Sequence, residues 1–218
     1  MKKAPAPIPF AGSKLDGIRH VCAFFNSQDE EYRVLLPFIR DGLKSGQKAI
    51  HVVDPARHHP HLNYLISAGI DAAAAQSRGQ LEIRTTTETY LRDGRFDQDR
   101  MLEAFESIAS GSSDSPYPLS RIVCQMEWAH DHHDCMDDLV EFEARVNDIW
   151  QRHDDAVICV YDLATFRGDI VIDIMRTHPM VIIGGSLQHN PFFMPPREFL
   201  HELRRRRRDR ISSLGSAG

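Results

Sequence analysis

Six short runs rich in apolar and β-branched residues recur along the chain: His20–Phe25, Ala49–Asp54, Gln80–Thr85, Arg121–Trp128, Ala156–Asp162 and Met180–Gly185. Helix-patterned or loop-like stretches separate them, and that alternation is the signature of strands returning in parallel to one sheet with helices on both faces. The expected fold is therefore α/β, a three-layer sandwich with a mainly parallel central sheet. Between the first two runs, Tyr32, Leu35, Leu36, Ile39 and Leu43 fall at helical spacing, and Gly46 supplies a stop. Leu62–Ala68, Arg100–Ile108 and Met136–Trp150 repeat the amphipathic pattern. In the last of these, Asp137, Asp138 and Glu141 stand near the start, where the helix dipole favours negative charge. Ala164–Thr177 reads as loop and helix, and Pro195 to Glu198 can open a final helix through Leu203. No internal repeat is visible.

The 218 residues suit one α/β domain with a substantial core. The apolar content of 42% and charged content of 26% are ordinary globular values and argue against disorder. The longest apolar runs fall far short of the roughly 20 residues needed to span a bilayer. Residues 1–16 begin with Met1, Lys2 and Lys3 and alternate Ala with Pro, without the apolar core of a secretory signal. They read as a flexible leader, and the chain is expected to be cytoplasmic. Cys22, Cys124 and Cys159 lie within strand-like runs and Cys135 in a loop, so reduced, buried thiols are expected rather than a disulfide framework. A net charge of −5 offers no general footprint for nucleic acid. The exception is Arg204–Arg208 with Arg210, inside a tail (residues 204–218) expected to be flexible. That run could touch an acidic partner, but without interleaved aromatics it is most simply a solvated end. The segment Ser110–Pro118, rich in Ser, Gly and Pro, reads as a surface loop.

The first strand-to-helix turn, Phe24 to Glu31, stands where a nucleotide-binding protein would place a phosphate loop. It has no glycine and no Gly-Lys-Ser/Thr element, and its Asp29, Glu30 and Glu31 would repel an anion. No nucleoside triphosphate is expected to bind at Phe25–Glu31. Gly-x-Ser-x-Gly and Ser-His-Asp patterns are also missing, so an enzymatic reading would rest on Glu127 or Asp162 as a base beside His178. The expected answer is no enzyme and no cofactor.

Twelve histidines require metal binding to be weighed. His58, His59 and His61, and His130 to Cys135, are dense clusters in expected loops that match no standard ligand spacing. His20 and Cys22, two apart on a strand, share a face and could meet Cys124 or Cys159. A metal-dependent sensor or enzyme built from His20, Cys22, Cys159 and His178 thus stays open beside core packing. Ligands of open α/β sheets sit beyond the carboxyl ends of the strands. Those ends carry Phe24, Phe25 and Asn26; Asp54; Glu127 and Trp128; Tyr161 and Asp162; and Gly184 and Gly185. Such a mixture of aromatic and polar groups suits a small-molecule pocket. Glu127, Tyr161 and His178 are the expected specificity groups, and the loop His130–Cys135 and the tail are the segments expected to move.

Ten segments in order carry a family resemblance. They are HVCAFF from His20, FIRDGLKSGQ from Phe38, GID from Gly69, GQL from Gly79, YLxxGxFD from Tyr90, MEWA from Met126, FExxVN from Phe142, CVYD from Cys159, THP from Thr177 and NPFF from Asn190. Together they resemble the MEDS domain, the methanogen and methylotroph DcmR-type sensory domain, from about Gly17 to Leu203. The resemblance implies sensing of simple hydrocarbon derivatives in prokaryotic signal transduction, and a KaiC/RecA-like core that has lost its phosphate loop. It also implies a sensing site drawn from His20, Glu127, Trp128, Cys159, Tyr161 and His178, to which the strand-end argument adds Phe24 and Phe25. Family members often join DNA-binding, kinase or anti-sigma-type modules. Here no such module follows Leu203, so the expected partner beyond the small organic ligand is a separate signalling or transcription-regulatory protein. A degenerate KaiC-like interaction module is the remaining alternative, and the residues leave the oligomeric state open.

Overall fold

A computed structural model of the protein describes residues 6–109, 116–132 and 135–215. In chain order these form β1 (Ile8–Phe10), β2 (Ser13–Leu15), β3 (His20–Phe25), α1 (Gln28–Lys44), β4 (Lys48–Val53), α2 (His58–Ser67), α3 (Ala72–Ser77), β5 (Leu81–Thr85), α4 (Thr86–Thr89), α5 (Gln98–Ala109), β6 (Ser120–Gln125), α6 (Met136–Arg145), α7 (Asn147–Trp150), β7 (Ala156–Asp162), α8 (Gly168–Thr177), β8 (Met180–Ile183), β9 (Ser186–His189) and α9 (Pro196–Gly215). Seven strands make one sheet in the order β5-β4-β6-β7-β3-β8-β9, parallel except for β8 with β9. All six sequence-derived runs lie in it, so the mainly parallel α/β sandwich is the observed fold.

β3 is buried along its whole length because it pairs with β7 on one side and β8 on the other and is covered on both faces. The pleat sends Val21, Ala23 and Phe25 toward α1, α2 and α3, where they meet Leu35, Phe38, Ile39 and Leu65. Cys22 and Phe24 point the other way, into a core with Met101, Phe105, Leu139, Phe142, Trp150 and Ile174 from α5, α6, α7 and α8. His20 belongs to this second face.

Four expectations need correction. The leader is ordered from Ile8: β1 and β2 form an antiparallel hairpin whose Phe10 ring lies 4.4 Å from that of Phe38, so burial of Ile8, Phe10 and Leu15 holds it against α1. The run Arg121–Trp128 is a strand only to Gln125, after which Glu127–His130 turns as a 3-10 helix. The run Met180–Gly185 ends at Ile183, and Gly184 and Gly185, at φ +58° and +74°, make the two-residue turn into β9. Glycine adopts two successive positive φ values most readily, which explains the pair better than a ligand does.

The fourth correction is the tail, which is helical to Gly215 rather than flexible from Arg204. Phe199 and Leu203 pack on Val140 and Ala144 of α6. Arg206 pairs with Asp173, Arg207 with Glu141, and Arg210 with Asp137. The carboxylates of α6 and α8 offset the repulsion that the arginine run would suffer alone. Residues 110–115 of the expected surface loop, and His133 and Asp134 of the histidine-rich loop, lie outside the described residues.

Candidate functional site

His20, Glu143, Cys159 and His178 meet behind the sheet, all buried. β3 supplies His20 at its first residue, and β7 supplies Cys159, which sits opposite Cys22 in the parallel register. α6 supplies Glu143 one turn past Leu139 on its inward stripe, and His178 follows α8. Glu143 is central. Its Oε2 lies 3.3 Å from His20 Nε2, 3.4 Å from His178 Nε2 and 3.9 Å from Cys159 Sγ. Its Oε1 accepts a 2.7 Å hydrogen bond from the Tyr161 hydroxyl. Cys159 Sγ is 3.6 Å from His20 Nε2.

Burial opposes charge here. It pushes His20 down, helped by the neighbouring His178, and raises the Cys159 thiol well above its usual value, with Glu143 adding to the effect. Burial also works to raise Glu143, but the His178 and His20 imidazoles outweigh it and hold that carboxyl below the ordinary range.

Outside the cluster, Asn147 and Ile174 hold the two rings. His20 Nδ1 is 3.1 Å from Asn147 Oδ1, while the Asn147 amide donates to the carbonyls of Glu143, Ala144 and Thr177. His178 Nδ1 lies 2.8 Å from the Ile174 carbonyl.

The structure thus gathers four residues of sequence interest, His20, Cys159, Tyr161 and His178. The others go elsewhere. Cys22 shares the face but donates to the Met180 carbonyl at 3.8 Å and is not one of the converging donors. Phe24 packs 5.7 Å from the Tyr161 ring, and Trp128 stacks on Tyr90 at 4.9 Å, both within the core. Phe25 faces the opposite side of the sheet.

Glu127 joins a second polar group, at the carboxyl edge. Arg57 donates to Glu127 Oε1 and to Glu31 Oε2, both at 2.6 Å, and Gln125 donates to Glu31 Oε1 at 2.9 Å. Burial raises Glu127 to about 7, with Arg57 opposing the shift and the Glu31 carboxylate adding to it. Phe25, Glu127 and Tyr161 border a notch there of only about 10 Å³, room for a water at most. The adjoining first turn is self-capped: Ser27 accepts from the Glu30 amide, and Glu30 Oε2 accepts from the Asn26 amide at 2.9 Å. A carboxylate therefore occupies the place where a phosphate would need free amides.

A larger cavity, about 680 Å³, opens beside the cluster. Its walls are Met136 and Asp137 at the start of α6, Thr165 to Arg167, Asp169 and Ile170 at the start of α8, His130, and Arg210 of α9. Arg167 with Asp169, and Arg210 with Asp137, form ion pairs at its rim. Phe166 lines the cavity and packs edge-on against Tyr161 at 5.3 Å, placing one aromatic contact between the cavity and the Glu143 hydrogen bond. Sequence reasoning missed this cavity because its walls join the segments after β6 and β7 to α6, α8 and α9, a proximity that only the tertiary fold creates. Among the described residues, no helix is long and apolar enough to cross a membrane.

Comparison with solved structures finds a KaiC-like protein of Pyrococcus horikoshii OT3, with a TM-score of 0.55 at 12% identity over 77% of this chain and 72% of that one. At that identity the likeness concerns the fold, and it supports the RecA-like reading. Among curated proteins, the transcriptional repressor DcmR of Methylorubrum extorquens is 24% identical over 178 residues, 81% of this chain. The matched region is 64% of the repressor's length. The family model described as the MEthanogen/methylotroph, DcmR Sensory domain matches residues 19–179, which include all four converging side chains. The chain belongs to the MEDS family of sensory domains.

Proposed function

We propose that this sensory domain binds a small organic molecule, a simple hydrocarbon derivative, in the cavity between α6, α8 and α9 and passes the event to a separate transcription-regulatory protein. The observation that carries this reading is the cavity itself. Its size is that of small-molecule sites, and its Met136, Phe166 and Ile170 offer apolar contact. The rim charges pair with each other, and Thr165 and His130 add polar groups to the wall. Similarity to a transcriptional repressor supports the regulatory direction. A small ligand burying about 150 Å² of apolar surface gains about 4 kcal/mol, which corresponds to a near-millimolar dissociation constant. Such affinity suits a sensor of an abundant metabolite.

Signalling requires that the ligand favour one arrangement over another. Arg210 walls the cavity and lies on α9, which also presents the exposed Arg204, Arg205 and Arg208. Occupation that shifts α9 therefore alters a basic surface available to a partner. Phe166 offers an inward route through Tyr161 to His20, Cys159 and His178.

The test is native mass spectrometry of fresh protein followed by a thermal-shift screen of small alcohols, halocarbons and carboxylates. A ligand that raises the melting temperature of the wild type, and not of an Ile170→Trp variant with the cavity filled, is expected. No co-purified molecule and no shift from any class would refute the reading.

A further inference from the structure

We propose that His20, Glu143, Cys159 and His178 bind one divalent transition-metal ion of the zinc kind in a closed tetrahedral site. The inference begins with the histidine tautomers, which the surrounding network assigns. The Asn147 amide nitrogen is committed to three carbonyls, so its Oδ1 faces His20 as an acceptor and His20 Nδ1 carries the hydrogen. His178 Nδ1 faces the Ile174 carbonyl, also an acceptor, and so donates as well. Both Nε2 atoms are therefore bare lone pairs, turned toward an ionised carboxylate oxygen and a sulfur.

Two lone pairs and a carboxylate oxygen repel one another at such distances unless a cation lies between them. One proton would serve only one imidazole. His178 Nε2 is buried with no hydrogen-bond partner, and it lies in the same converging set as His20 Nε2. A buried polar atom left unpaired is costly, whereas a metal would engage all four donors together.

The spacing fits an ion. With metal–nitrogen and metal–oxygen bonds near 2.0 Å and a metal–sulfur bond near 2.3 Å, tetrahedral edges come to about 3.3 Å between nitrogen and oxygen and about 3.5 Å from nitrogen or oxygen to sulfur. The observed edges are 3.3 and 3.4 Å from the imidazoles to Glu143, and 3.6 Å from His20 to Cys159. The sulfur–oxygen edge of 3.9 Å is the widest of these, and all four atoms lie within 4.8 Å of one another.

Charge closes as well. A divalent ion with one thiolate, one carboxylate and two neutral imidazoles makes a neutral unit, which a buried interior tolerates. Four protein ligands without exposure mark a structural or regulatory ion rather than one that activates water. Asn147, Tyr161 and the Ile174 carbonyl are the orienting partners that metal ligands ordinarily have. The ion does not depend on whether the neighbouring cavity takes an organic molecule.

The experiment uses the full chain without an affinity tag, stripped with a chelator and titrated with cobalt(II). One cobalt per chain is expected, with tetrahedral ligand-field absorption and a thiolate-to-cobalt charge-transfer band, both removed by added zinc. Cys159→Ser should lose the charge-transfer band and Cys22→Ser should keep it, since the Cys22 thiol is engaged by Met180. Tyr161→Phe keeps every ligand and removes one hydrogen bond to Glu143, so cobalt affinity should fall about 10- to 100-fold. If Cys159→Ser does not fold, the wild-type spectrum and the Tyr161→Phe fold-change decide. Wild-type protein that takes up neither cobalt nor zinc stoichiometrically, a cobalt spectrum without a thiolate band, or Tyr161→Phe binding cobalt as tightly as wild type would overturn the proposal.

Discussion

Replacing Glu127 with glutamine isolates the cost of burying its charged carboxylate. In the wild type, Arg57 contacts Glu127 and Glu31 at the same 2.6 Å, and the Glu127 carboxyl is raised from 4.5 to about 7 by burial. A folded-state value above the unfolded one means that the contribution is fully present below pH 4.5 and is lost as pH rises through about 7. The shift of about 2.5 units corresponds to about 3 kcal/mol, at 1.36 kcal/mol per unit. Glutamine keeps an oxygen for Arg57 and removes the titration. Glu127→Gln should therefore gain on the wild type progressively between pH 4.5 and 7, approaching about 3 kcal/mol above pH 7. Urea denaturation of both proteins at pH 5, 6, 7 and 8 measures the difference, and groups common to both cancel. A difference that does not change with pH, or that shrinks as pH rises, refutes the argument.

Three further outcomes follow from other parts of the molecule. His51, buried and hydrogen-bonded to His61 at 2.8 Å, is lowered by burial to about 4, so its contribution is present above pH 6.5 and lost as pH falls toward 4. The wild type should lose about 3 kcal/mol relative to His51→Gln across that window, measured by denaturant midpoints. Gly42→Ala should destabilise by about 1–3 kcal/mol despite alanine's helix propensity. Its new Cβ would come within 2.5 Å of the Arg121 side chain, which donates to Phe38 and Gln47. Thermal melts would show this, and a neutral or stabilised variant would mean that Arg121 yields freely. Phe199→Ala should cost about 3–5 kcal/mol and make α9 sensitive to protease, since Phe199 packs on α6 beneath Arg176 and Arg206; unchanged proteolysis would show that ion pairs alone hold the helix.

The strands of the sheet's interior were legible because burial on both faces writes nearly continuous apolar runs, as in β3 and β7. β1, β2 and β9 were not, being three or four residues long, although Gly184 and Gly185 carried the hairpin signal. Within the site, His20, Cys159, Tyr161 and His178 could be named from strand faces and family motifs. Glu143 was hidden behind Asp137, Asp138 and Glu141, which read as acidic residues favoured by the dipole at a helix start. The overlooked signal was position: Glu143 and Asn147 stand one turn apart and follow Leu139 on the stripe that continues to Val146, so a carboxylate and an amide face the core. Both also fall inside the matched FExxVN segment. Pairing between the tail arginines and α6 or α8 could not be read, since it depends on tertiary proximity that charge counts do not encode.

β3 enters the world early and waits. It is made well before its two partners, β7 and β8, and the His20–Cys159 contact joins positions 139 apart. Until then an apolar strand stands with neither edge hydrogen-bonded, the kind of segment that favours self-association and slows folding. The hairpin β1–β2 and helix α1, both made beside it, can shelter one of its faces in the interval. Its other face, the one that carries His20, gains its cover piecemeal as α5, α6, α7 and α8 are made. The buried cluster of His20, Glu143, Cys159 and His178 can therefore close only late, and any product ending before His178 would lack it.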